Sequence, residues 1–265
     1  MFTNFKVNII FLILAILPNT SYPLKFKKVK VYTTDRINPI VSITNNKLTG
    51  LSGEFLIQST KDIIEEFELN ILPWPRAQSE GQKEKNAIIL PLARTTVREK
   101  QYIWLSKVFD DPVCFFTTTT QKPIESKNDI IRLNKIGIIR GGAEESFLKE
   151  LNVIEALDDS KDHQTLILKL YAQRSDAILA GTLTTKHEWQ NNNHPTDKIQ
   201  CGKPYTYNAQ SIATSLNSEA KFIQTVSNAM EKFKRTPSYI NLLKKYGIEN
   251  TDKKSTIREE LFKSK

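Results

Sequence analysis

Arg94 and Arg98 lie four residues apart in Ala93-Arg94-Thr95-Thr96-Val97-Arg98-Glu99, and they are the side chains best suited to hold an anion. A guanidinium presents a planar fork of donors that matches a carboxylate with two parallel hydrogen bonds. A second stretch, Arg140-Gly141-Gly142-Ala143-Glu144-Glu145, reads as a turn into a helix. Free backbone N–H groups and the helix dipole favour negative charge at such an end, and the glycines permit close approach of a ligand. The plainer alternative stays open: Arg94 and Arg76 have carboxylates such as Glu99 and Glu54 to pair with. Other chemistries find little support. His187, Glu188 and His194 do not share a helical face, His163 reads as a surface or capping residue at a helix start, and no nucleophile motif, phosphate loop or zinc spacing appears. No metal and no cofactor is expected, and the chain is read as a binding protein rather than an enzyme.

The elements that must position these residues follow from periodicity. Val29–Thr33 alternates as a first strand, Asn45–Gly50 forms a hairpin tip, and Ser52 caps a helix over about 53–67. Leu69–Leu72 is a short strand, and Pro73-Trp74-Pro75 opens a polar helix. Ala87–Leu90 is a buried strand that Pro91 is expected to end. A long extended run covers Val108–Thr120. Buried strands at 135–139 and 177–180 alternate with helices over about 144–151 and 162–173, and 185–197 reads as a polar loop. A second extended run covers Ile199–Ser215. An amphipathic helix follows at 218–235, then a helix started by Thr236-Pro237 and stopped by Gly247.

Lys85–Leu90 is echoed by Arg174–Leu179: each is a short apolar strand that follows a helix. The echo and the two extended runs give a plan. The chain builds one α/β lobe, crosses to a second, and returns to finish the first. The fold class expected is a two-lobed α/β protein with two crossover hinge strands and a cleft between the lobes. The divisions expected are a signal peptide at 1–22, lobe 1 at 23–110 and 205–249, lobe 2 at 111–204, and a charged C-terminal tail at 250–265. Cys114 lies just after the first crossover and Cys201 just before the second, so a disulfide between them is reasonable.

The 265 residues carry a formal net charge of +9. The basic residues are dispersed in mixed sign, with no block of five, which argues against nucleic acid as a partner. Lys6 followed by the apolar run Ile9–Leu17 is too short to span a bilayer and suits a signal-peptide core. Export to the periplasm as a monomer is the expectation.

Six motifs in order resemble the extracellular solute-binding proteins of family 3, which have the type II periplasmic binding fold. They are Leu48-Thr49-Gly50 leading into Gly53-Glu54-Phe55, Pro73-Trp74-Pro75-Arg76-Ala77, Ala93–Lys100 with Trp104, Ile136–Gly142 with Arg174-Ser175-Asp176-Ala177, Cys201-Gly202-Lys203-Pro204-Tyr205, and Leu242–Gly247. The resemblance implies capture of a small solute between the lobes for an ABC-type permease of amino-acid type, with a sensor as another partner. It places a ligand carboxylate on Arg98, with Arg94, Leu92, Ala93, Arg140, Gly141, Gly142, Ala143, Gly181 and Trp74 around it, Trp74 serving packing before ligand contact.

The chain departs from the family at three places. Hydroxyls are missing near Leu90 and Ala93, Ile40 replaces a covering aromatic, and Gly181 stands near the family's acidic anchor for an ammonium group. The resemblance therefore implies a site with its carboxylate half kept and its amine half absent, and an anionic or carboxylate-bearing solute. A small-acid lyase or dehydratase on the same scaffold is the alternative, and would direct an acid into the cleft. A sensor or degenerate module is another.

Overall fold

A computed structural model describes residues 25–35, 37–248 and 255–263; the signal-peptide expectation lies outside them. The chain opens with β1 (Phe26–Thr33), the hairpin β2 (Ser42–Thr44) and β3 (Lys47–Thr49), and helix α1 (Gly50–Thr60). Asn45 and Asn46 hold positive φ at the hairpin tip, the geometry that matches the twist of a two-residue turn. Strand β4 (Ile64–Ile71), α2 (Trp74–Lys83) and β5 (Ile88–Arg94) follow. The helix expected to reach 67 stops at Thr60. Ile64, Phe67, Leu69 and Ile71 belong to an edge strand parallel to β1, where Lys28 faces Glu66 and Glu68. Pro91 does not end its strand either: β5 continues to Arg94 against a partner whose register shifts between Ser211 and Ala213.

The long β6 (Ile103–Thr118) then crosses to the second lobe. There α3 (Lys127–Ile130), β7 (Ile136–Ile139), α4 (Glu144–Glu150), β8 (Leu157–Ser160), α5 (His163–Tyr171), β9 (Ala177–Gly181), α6 (Thr182–Asn191) and β10 (Ile199–Cys201) are built. Helix α6 occupies much of the expected loop. Its sequence is polar, so periodicity does not reveal it; the fully buried Trp189, with Thr184 and Thr185, anchors it to the lobe. The return strand β11 (Thr206–Thr214) runs antiparallel to β6 from Thr206↔Val113 to Thr214↔Ile103, and α7 (Ala220–Lys234) and α8 (Pro237–Lys245) complete the first lobe.

The sheet order is β4-β1-β5-β11-β6-β9-β7-β8, with β10 also on β6. It reads the same from both ends: three parallel strands, then a crossover strand antiparallel to the third. The repeated apolar strands of the sequence, β5 and β9, occupy equivalent places in the two halves. Each half has apolar packing on both sheet faces, with Leu51, Phe55, Phe222 and Met230 in one and Ile136, Leu148, Leu166 and Trp189 in the other.

Cys114 of β6 and Cys201 of β10 are joined by a disulfide, with 5.7 Å between their Cα atoms. The C-terminal tail is in part a docked helix, α9 (Ile257–Lys263). Ile257 is buried beside Tyr205 and Phe147, its N–H donates to the Pro204 carbonyl, and Arg258 forks onto Glu150 of α4.

Candidate functional site

Parallel strands leave their carboxyl ends facing the crevice at which strand order reverses, and ligands of open α/β sheets bind there. The ends of β5, β7 and β9 meet at such a crevice. It holds a partly open cavity of ≈ 70 Å³ lined by both lobes, including Ala93 and Arg98 from one side and Gly142, Ala143, Glu144 and Gly181 from the other. That is small beside the roughly 300–1,000 Å³ of typical ligand pockets, so the two sides of the crevice lie close together here.

Period-two alternation along β5 sorts its residues. Ala93 faces the cavity, whereas Leu92 turns to the opposite core beside Ala213 and Trp104. Arg94 and Arg140 do not line the cavity. Arg94 pairs with Glu99 and lies 5.3 Å from the Trp104 ring centroid, the alternative left open by its sequence, and Arg140 pairs with Asp159 on the exposed edge of β8. Trp74 both lines the cavity and packs into the core.

Arg98 reaches the cleft but is not free there. Its Nη1 donates to the Ala93 carbonyl at 3.1 Å and its Nη2 to the Gly141 carbonyl at 2.9 Å. Gln78 Nε2 donates to the same Gly141 oxygen at 3.2 Å. Gly141 adopts φ +72, and a Cβ there would meet the Pro75 ring of α2, so the bare backbone of Gly141 lies against side chains of the other lobe. Burial pushes the Arg98 guanidinium pKa down, and the Glu144 charge beside it works the other way.

The amides expected to draw an anion at Gly141–Ala143 are met by the chain itself. The Gly142 N–H donates to the Ile139 carbonyl at 2.9 Å, and the Glu144 carboxylate folds back against Gly142. Asn208 of β11 donates to it at 3.4 Å. Burial pushes the Glu144 pKa up, against Arg98 and this hydrogen bond.

Gly181 brings the clearest departure from the sequence reading. A side chain there would collide with the carboxylate of Asp111, which comes from β6 and fills the place where the amine anchor was expected to be missing. Asp111 is 1% exposed; its Oδ1 accepts from the Leu183 N–H at 3.2 Å, and its Oδ2 has no partner. Thr184, also buried and lining the cavity, has an unpartnered hydroxyl. Burial pushes the Asp111 pKa up to about 7, the N–H groups of Leu183 and Thr182 pull it down, and Glu144 adds to the rise.

Asp111, Glu144, Thr184 and Asn208 escaped the sequence reading, and His163 lines the cavity where a surface or capping role was expected. Asp162 is the residue that caps α5. One signal was visible: Asp110-Asp111-Pro112 interrupts an otherwise apolar crossover run, and only the strand's alternation decides which acid turns inward. Among the described residues no group of three or more His, Cys, Asp or Glu is arranged to hold a metal ion, and no helix is long and apolar enough to cross a membrane.

The Asp111 shift has a sign that can be measured. The folded protein keeps this proton to about pH 7, whereas the unfolded chain releases it near the ordinary Asp value of about 3.9. Between those values the folded state binds more protons, so the contribution of this group to stability falls as pH rises, by up to about 1.4 kcal/mol per pH unit, and levels off above pH 7. Chemical denaturation of the empty protein between pH 5 and pH 8 should show this loss, and Asp111→Asn should flatten it. An unchanged slope in the variant would assign the titration elsewhere.

No protein-family model matches the sequence, and no curated protein matches it. Solved structures do match the fold. A histidine kinase sensor domain with similarity to periplasmic binding proteins superposes with a TM-score of 0.74 at 14% identity, covering 84% of this chain and 96% of that one. An ancestral arginine-binding protein bound to arginine gives 0.70 at 16%, covering 83% and 98%. The substrate-binding protein of an amino-acid ABC transporter gives 0.68 at 15%, covering 84% and 100%. At these identities the likeness establishes the architecture. The fold is periplasmic-binding-protein-like, the one expected for family 3 solute-binding proteins.

Proposed function

We propose that the chain is an exported solute receptor that closes its two lobes over a small polar solute bearing a cationic nitrogen and presents the closed form to a membrane permease of the ABC type. The observation that carries this reading is the buried, unpartnered Asp111 Oδ2 in the cleft, with Glu144 beside it. A buried acceptor without a donor destabilises the empty protein, and a partner arriving from outside accounts for it. The solved neighbours favour a binding use of the scaffold, since two of those described bind arginine or serve amino-acid import. The leader-like residues 1–22 support a periplasmic receptor. The family resemblance adds a carboxylate on the same solute, paired with Arg98. Closure needs only that the solute contact both lobes better than one.

The test is a thermal-shift screen of the purified protein against amino acids, amines, organic acids and small peptides. A ligand at a hundred times its Kd adds about 2.7 kcal/mol of stability, about 5–10 °C for a domain of this size. Silence across the whole set from a well-folded protein would remove the receptor reading.

A second reading has one observation in its favour. A buried carboxyl with a pKa near neutrality in a cleft is suited to general acid–base work, so a small-acid lyase or dehydratase remains a competitor. It requires turnover: a solute that stabilises the protein should be chemically changed when followed by proton NMR, whereas a receptor returns it intact.

A further inference from the structure

We propose that the cognate solute is a short peptide rather than a single amino acid, with its ammonium end at Asp111 and its carboxylate end in a wider groove that continues the cleft. This narrows the solute class of the receptor reading, on which it rests.

The cavity at Asp111 is not the whole crevice. A more open groove of ≈ 730 Å³ adjoins the ≈ 70 Å³ cavity, and only the groove has the volume usual for a ligand pocket. Three separate segments pass from one to the other. After β5, Ala93 lines the cavity and residues 94–97 line the groove. In α4, Glu144 lines the cavity, and Ser146 and Phe147 line the groove. In β11, Gln210 lines the cavity, Asn208 lines both, and Thr206 lines the groove. The two hollows are therefore successive parts of one crevice between the lobes.

Arg98, Glu144 and Asn208 stand at the junction, where Asn208 donates to Glu144 at 3.4 Å. Arg98 gives two of its N–H groups to main-chain oxygens, and the others remain for an oxygen of the solute. A single amino acid would present its carboxylate there and end. A peptide would present its first carbonyl there and run on, with the amide of Asn208 and the carboxylate of Glu144 as donor and acceptor for its amide group.

Charge changes sign along the crevice. In the cavity two acids, Asp111 and Glu144, accompany one guanidinium, Arg98. In the groove three cations, Arg94, Lys149 and Arg258, accompany two acids, Glu99 and Glu150. Glu145, the partner of Lys149, lies outside the lining. Arg94 and Arg258 pair with Glu99 and Glu150 at the surface, where such pairs contribute little, so a carboxylate can be taken up among them. The inner end suits an ammonium group and the outer end a carboxylate, the two termini of a chain that spans both hollows. Between them, Val97, which is 63% exposed, offers carbon surface to a side chain, and Thr95, Thr96 and Thr206 offer hydroxyls to amides.

The experiment screens pools of dipeptides and tripeptides by thermal shift against the free amino acids they contain. Calorimetry at pH 7 then compares the best peptide with its C-terminal amide on the parent protein, and measures the free peptide on Val97→Asp and Ile131→Asp. Ile131 is 54% exposed and lines neither hollow. The peptide is expected to bind about tenfold or more tightly than any of its component amino acids, and to lose about tenfold on amidation and about tenfold in Val97→Asp. Ile131→Asp should bind it as the parent does. The inference is overturned, and the receptor reading stands, if a free amino acid binds as tightly as the peptides containing it. The same holds if the amide or the Val97→Asp protein binds as tightly as the unmodified pair, or if neither peptides nor amino acids bind but another solute of the broader screen does. Silence from every class removes both. The amide comparison needs no variant, so it decides the matter even if Val97→Asp fails to fold.

Discussion

Asp111→Asn is expected to weaken solute binding by two to three orders of magnitude while leaving an empty protein that is folded and, at pH 8, more stable than its parent. The two effects have opposite signs because they come from the same buried charge. In the empty protein, Asp111 is 1% exposed and one of its oxygens lacks a donor, so its ionised form is disfavoured. Asparagine has the same shape. Its oxygen can still accept from Leu183, and no charge must be buried. In the loaded protein the carboxylate gains a cationic partner, and removing one member of a buried, hydrogen-bonded charge pair costs about 2–5 kcal/mol. Denaturation of the two empty proteins, with calorimetry against the best solute of the screen, measures both. A variant that binds as well as the parent would take Asp111 out of the site. A variant less stable at pH 8 would mean that Oδ2 has a structural role.

Removing the disulfide should produce the largest stability change outside the cleft. The bond joins β6 to its neighbour β10 and closes 87 residues of chain, nearly the whole second lobe. Constraint of the unfolded chain over a loop of that length gives about 4–5 kcal/mol in the chain-entropy model, and native disulfides typically contribute about 2–5 kcal/mol. Cys114→Ala with Cys201→Ala is therefore expected to lower the melting temperature by about 10 °C. The loss should fall on the second lobe. Amide exchange in β7, β9 and β10 should accelerate more than in β1 and β4, which lie at the far end of the sheet. A melting temperature within a degree or two of the parent's would show that the lobe's apolar packing alone sets its stability.

Sequence alone determined the architecture to a useful depth. Apolar strands alternating with helices, two long extended runs and the echo between Lys85–Leu90 and Arg174–Leu179 led to two α/β lobes with crossover strands, and the positions of Cys114 and Cys201 on that plan led to their pairing. These features are legible because they rest on local periodicity and chain order. Where a polar helix is held by one buried tryptophan, as in α6, or where an acidic strand is stabilised by its neighbour, as in β4, local pattern misleads, because the stabilising contact is distant in sequence.

The site divided along the same line. Arg98 could be singled out from its residue type and motif, but its hydrogen-bond partners are the carbonyls of Ala93 and Gly141, and a carbonyl leaves no trace in a sequence. Gly181 suggested a missing acid because a sequence shows which side chain is absent at a position. It does not show that another strand reaches the same point in space. Asp111 arrives there from β6, 70 positions earlier in the chain, because that crossover strand pairs Val113 with Gly181. The amides before α4 read as an open anion site, and Glu144 closes it by folding back on its own helix start. Tertiary structure therefore decided the sign of the cleft. The charge that a cavity presents is set by which side chains converge on it and which already have partners, and both are products of the folded chain.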